Sequence, residues 1–91
     1  MKEWPLDQLP LGEEAVVLRM EEESRLSLRL RELGITEGAH IRRKRQAPLG
    51  DPSVYMVRGS ALAIRSADAA HILVRPMHIP VSGGFSGQSR K

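Results

Sequence analysis

Residues 47–65 read APLGDPSVYMVRGSALAIR, and the reading of this stretch decides the fold. Pro48 and Pro52 fix their own φ angles and push the residues before them toward extended backbone. Between them Gly50-Asp51 supplies turn chemistry, since Gly tolerates positive φ and an Asp carboxylate bonds to nearby backbone. Val54 and Met56 then alternate with Tyr55 and Val57, the period-two pattern of a strand with a buried face. Arg58-Gly59 fits a two-residue hairpin turn. Leu62 and Ile64 continue the alternation on a return strand. A stiff loop and a hairpin need a core to pack on, and the flanking sequence has to supply it.

With 91 residues the chain forms one domain, which at this size buries roughly 60–65% of its unfolded surface. It has no cysteine, which excludes a disulfide framework and any cysteine-ligated zinc or iron–sulfur centre. The first ten residues, MKEWPLDQLP, lack the apolar run of a secretory signal. No apolar stretch approaches the ~20 residues of a membrane-spanning helix. A cytoplasmic chain is expected, without membrane insertion. Aromatics are Trp4, Tyr55 and Phe85 alone, too few for a base-stacking platform or a polyproline groove. Through Glu37 the chain carries five basic and nine acidic residues; from Gly38 onward it carries nine and two.

Residues 1–11 place Trp4, Leu6, Leu9 and Leu11 between prolines as apolar pegs over one end of a core. Gly12 precedes a strand, Glu14 to Met20, whose run Ala15-Val16-Val17-Leu18 is too continuous for one wet face. Glu21-Glu22-Glu23-Ser24 reads as a helix start, with carboxylates at the positive end of the dipole and Ser24 as cap. Leu26, Leu30 and Leu33 recur at i, i+4 and i+7 on that helix. The segment RLSLRLR also alternates with period two, as a strand would. The ending Leu33-Gly34-Ile35 favours the helix, with Gly at C′ and an apolar residue folding back.

A strand from Ala39 to Ala47 follows. Alternation puts Ala39, Ile41, Arg43, Arg45 and Ala47 on one face, His40, Arg42, Lys44 and Gln46 on the other. After the hairpin, Ser66 to Ala70 makes one helical turn capped by Ser66, and Ile72-Leu73-Val74 starts a last strand ending near Pro76. The Gly/Ser-rich residues from 79 to 91 read as a flexible tail after a single domain over 1–78. Strand, helix, three strands, helical turn, strand: this order with short antiparallel connections predicts a mainly β, partly open barrel of about five strands.

Three candidate surfaces emerge. The stiff loop Pro48, Leu49, Gly50, Asp51 and Pro52 lowers the entropic cost of docking a partner. Leu26 and Leu30 line a groove between helix and barrel suited to an apolar partner segment. Leu28, roughly 160° around the helix from them, is either covered by the leading pegs or exposed as part of that binding patch. Arg42, Arg43, Lys44 and Arg45 form a basic run able to meet phosphates, although a strand divides it between two faces and makes it a solvated edge. Asp68, His71 and His78 are the candidate ligands for weak divalent metal binding, and no resident cofactor is expected. The chain has no nucleophile elbow, no P-loop and no paired carboxylates, so an enzyme is not expected.

Three phrases carry a family resemblance: LRELGITEG (30–38), APLGDP (47–52) and VRGSALAIRSADAAHILV (57–74). In this order and spacing, over about residues 7–76, the chain closely resembles FeoA, the small accessory protein of bacterial ferrous iron transport. The resemblance implies an SH3-like β-barrel with one inserted helix, no catalytic chemistry, and a FeoB-type membrane iron permease as partner. Its second strand departs from the family's usual apolar alternation in being basic throughout Arg42 to Arg45. Two other functions compete. One is a free-standing relative of the SH3-like domain of iron-dependent repressors, a metal-linked regulatory module. The other is a nucleic-acid-binding small barrel using Arg42 to Arg45, although nucleic acid is not the expected partner. Oligomeric state is not fixed by the sequence.

Overall fold

The computed structural model describes residues 3–21 and 25–77. Its elements are β1 (Trp4–Pro5), a 3-10 turn (Leu6–Gln8), β2 (Glu14–Met20), α1 (Arg25–Glu32), β3 (His40–Gln46), β4 (Ser53–Val57), β5 (Ser60–Ile64), α2 (Ser66–Ala69) and β6 (Ile72–Pro76). The strands pair antiparallel in the order β1-β6-β2-β3-β4-β5. The five expected strands and the inserted helix are present. A sixth, two-residue strand comes from the leading segment, where Trp4 pairs with Val74 and Pro5 with Leu73. The proposed helix start at Glu22 to Ser24, and the tail with His78, lie outside the described residues.

The core draws on nearly every element: Leu6, Leu9, Ala15, Val17, Leu30, Ile35, Ile41, Tyr55, Val57, Ile64, Ile72 and Val74 are all buried. Of the four leading pegs, Leu6 and Leu9 fill that core, whereas Trp4 and Leu11 are exposed. Burial in β4 alternates, with Ser53, Tyr55 and Val57 inward and Val54 and Met56 half-exposed.

The hairpin closes through Val57 and Ser60, with φ of 49° at Arg58 and 82° at Gly59. Two positive values match the right-handed strand twist. Gly takes its value freely, but Arg58 is a non-glycine residue held in the left-handed region. Its guanidinium offsets that cost across the molecule: Nε donates to the Gly34 carbonyl at 3.1 Å and Nη2 to Thr36 Oγ1 at 3.0 Å.

Those acceptors belong to the end of α1. Ile35 N–H donates to Leu30 O at 3.0 Å and Gly34 N–H to Arg31 O at 3.0 Å, with Gly34 at φ +108°. This is the double-bonded C-terminal motif that LGI predicts, with Ile35 folded into the core. The leucine stripe needs correction. α1 turns Ser27 and Leu30 inward, while Leu26, Leu28 and Leu33 are exposed. Leu33 already lies past the last helical residue, so the i+7 position leaves the helical face.

β3 differs from simple alternation as well. Arg43 pairs with Tyr55, but Arg45 pairs with Val54, so a bulge intervenes at Lys44. A bulge reverses the facing of every later residue. Arg45 therefore joins Arg42 on the outer face rather than sharing an inner face with Arg43.

Candidate protein-interaction site

Two places present apolar surface to solvent, the first of them partly floored by the core residues Leu30 and Ile72. The first is a shallow groove of about 30 Å³ between α1, the end of β2 and the α2–β6 corner, lined by Met20, Leu26, Ser27, Leu30, Asp68, His71 and Ile72. Leu26 and Leu30 are the groove leucines foreseen from the sequence. Leu28 is not part of it and stands 58% exposed on α1. Met20 and Ile72 were missed because each sits at a strand end, where alternation does not say which neighbour it meets. One rim is polar: His71 Nδ1 lies 3.5 Å from Glu21 Oε1, and Asp68 stands beside it. Among the described residues no set of three His, Cys, Asp or Glu side chains gathers as a metal site would require. Asp68 and His71 line the same groove, and the third candidate ligand, His78, falls outside the described residues.

The second is the β3–β4 loop. Gly50 N–H donates to Ala47 O at 2.7 Å, Ala47 N–H to Pro52 O at 2.9 Å, and Gln46 Nε2 to Gly50 O at 3.0 Å. The loop is braced from within. Its far side is anchored too, since the Asp51 carboxylate accepts from Ser66 N–H and Ser66 Oγ. Ser66 therefore does not cap its own short helix; no side-chain cap bond comes from Arg65 either, and Asp51 does that work from the adjoining end of β4, just beyond the Ser53–Ile64 pair. Of the five loop residues foreseen as contacts, Asp51 is exposed with its carboxylate engaged by Ser66. Leu49 is 98% exposed at the tip.

The basic run divides into unequal parts. Arg43 is half-buried and structural: Nη1 donates to Leu9 O at 2.7 Å, while Nε and Nη2 donate to Ser53 Oγ at 3.1 and 2.9 Å. Its head is not in water, contrary to the edge reading, and it ties the leading segment to β4. Arg42, Lys44 and Arg45 are exposed. Beside Arg43, burial pushes the Tyr55 hydroxyl above the ordinary tyrosine range, against the guanidinium and a Ser53 hydrogen bond that pull it down. A second hollow of about 240 Å³ beside β2, lined by Leu18, Arg19, Arg31, Thr36 and Glu37 among others, has charges of both signs.

This arrangement defines a class: a small SH3-like barrel with candidate working parts that are apolar side chains standing outside its core. The chain belongs to the FeoA family, whose FeoA domain matches residues 4–76. It is similar to the FeoA protein of Chlorobium tepidum, with 32% identity and a TM-score of 0.80 over 91% of this chain and 81% of that one. It is also similar to the zinc-complexed FeoA of Stenotrophomonas maltophilia, described as a prokaryotic SH3 domain protein, with 32% identity and a TM-score of 0.68 over 76% and 86%. A manganese-dependent transcriptional repressor in complex with manganese aligns at 18% identity and a TM-score of 0.73 over 85% of this chain and 38% of that one. That likeness is one of fold alone. No curated protein matches the chain. Among the described residues no helix is long and apolar enough to cross a membrane.

Proposed function

We propose that this FeoA-family chain is a cytoplasmic accessory protein of ferrous iron uptake that docks on a FeoB-type permease and tunes its assembly or activity. The observation that carries the reading is Leu49, an apolar side chain 98% exposed at the tip of a loop braced on both sides. A rigid, solvent-facing leucine loses little conformational entropy on docking and gains burial of its whole side chain. The groove with Leu26 and Leu30 offers a second seat, for an apolar segment of the partner. The likeness to a relative described as a candidate ferrous iron transport activating factor supports the same reading.

No resident cofactor and no catalytic group enter this function. Pull-down of the permease by the tagged full chain tests it. Capture by the wild type, and loss of capture by L49S with unchanged melting, is the expected result. No capture at all, together with iron uptake indifferent to deletion of the chain, would contradict it.

A further inference from the structure

The two edges of the sheet are unequal. β1 is a two-residue strand containing Pro5, which gives an added strand little to pair with. β5 is five residues long, Ser60-Ala61-Leu62-Ala63-Ile64, with no charge and no proline. Its hydrogen-bond phase follows from the two-residue turn. Val57 and Ser60 close the hairpin, so Ser60, Leu62 and Ile64 use their backbone groups on β4. The N–H and C=O groups of Ala61 and Ala63 point away from the sheet. No backbone bond outside the strand ladders reaches either residue.

The outer face beside that edge is basic. Arg42 lies in register with Met56 and Ala61, and Arg45 with Val54 and Ala63. The backbone is still extended at Arg65, with φ −72° and ψ 148°, so alternation from Ala61 and Ala63 brings Arg65 to the same face. All three arginines are exposed, and none has a side-chain partner among the described residues. Ala61 and Ala63 leave Arg65 unscreened at the edge, while Arg42 and Arg45 stand two strands in, across Met56 and Val54, with Arg42 opposite Glu14 of β2 on its other side. The face thus has the anatomy of an interface, with Val54 and Met56 half-exposed at its centre and arginines around them.

We propose that β5 receives an extended, acidic segment of another protein, which adds to the sheet as a further strand with its carboxylates beside Arg65 and turned toward Arg45 and Arg42 across the face. Backbone pairing to Ala61 and Ala63 supplies affinity, and the arginines supply selection for acidic side chains. A second copy of the chain is the poorer occupant. Pairing β5 with its own copy would bring two sets of three arginines onto one continuous face, with no carboxylate between them. The surface shares no residue with the leucine groove.

The test titrates the labelled full chain with two seven-residue peptides, acetyl-EVEVEVE-amide and acetyl-KVKVKVK-amide. The expected result is movement of the Ala61 and Ala63 amide resonances with the glutamate peptide only, and amide exchange at both residues slowed about tenfold or more. Arg45→Glu combined with Arg65→Glu should weaken binding about tenfold at low salt. Ala61→Pro removes an N–H that β4 does not use and should abolish binding. A glutamate peptide N-methylated at alternate amides gives the same answer on the unmutated chain should that variant fail to fold. Equal binding of the two peptides, or undiminished binding after methylation, would overturn the proposal. So would a chain that sediments as a dimer dissolved by Ala61→Pro. Binding to phosphatidylglycerol vesicles without binding to the glutamate peptide would overturn it as well.

Discussion

The Asp51 carboxylate accepts two hydrogen bonds from Ser66, one from the backbone N–H at 2.8 Å and one from the hydroxyl at 3.1 Å. A residue in the β3–β4 loop thereby caps a helix fifteen positions later. Arg58 makes the matching link from the hairpin turn to Gly34 and Thr36 at the end of α1. Of the three phrases that mark the family, the one at 57–74 is therefore tied by side chains to each of the other two.

Removing the Asp51 carboxylate leaves an exposed helix end without its cap. Asp51→Ala should cost about 1 kcal/mol, a fall in melting temperature of roughly 4–8 °C for a domain of this size. Asp51→Asn, which keeps an accepting oxygen, should recover most of that fall. Thermal unfolding followed by circular dichroism distinguishes the two.

Arg43 joins Leu9 of the leading segment to Ser53 of β4 through one guanidinium. Arg43→Met keeps the apolar stem but takes this donor from the Leu9 carbonyl and leaves the Ser53 hydroxyl with Tyr55, at a cost of about 1–2 kcal/mol. The urea midpoint should fall accordingly with an unchanged slope. Arg43→Lys should recover only part of the loss, because one ammonium cannot reproduce the planar fork that spans both acceptors.

Tyr55 provides a pH test, being the one tyrosine of the chain. Burial raises its hydroxyl above the ordinary value, so folding favours the neutral form. In the unfolded chain that proton leaves near pH ~10. The stability tied to Tyr55 is fully present below that pH and is lost as pH rises through the higher folded value. Tyrosinate absorbance should appear at higher pH in the folded chain than in denaturant, and Tyr55→Phe should flatten the alkaline loss of stability.

Much of this architecture was legible because local chemistry fixed it. Leu33-Gly34-Ile35 specified a helix ending, Arg58-Gly59 a hairpin, and Val54 to Val57 a half-buried strand. What was not legible depends on partners distant in sequence. Nothing near Lys44 announces a bulge, since the irregularity arises from how β3 meets β4. Arg43 reads as an exposed cation until Leu9 and Ser53 are placed beside it. Ser66 looks like its own cap until Asp51 arrives from the loop. In the groove, Leu26 and Leu30 showed in the helical spacing, whereas Met20 and Ile72 reach it only through the pairing of β2 with β6. Leu28 lay on the same helix but on another face.

Docking through apolar side chains that the core does not use is most directly tested by calorimetric titration of the full chain into the purified FeoB-type permease. Leu26→Asp and Leu49→Ser alter exposed positions and should leave the melting temperature within a few degrees of wild type. Each should weaken binding about tenfold or more, as removal of a buried apolar anchor does. Wild-type affinity retained in both variants, or no heat of binding from the wild type at two temperatures about 15 °C apart, would contradict docking through these leucines.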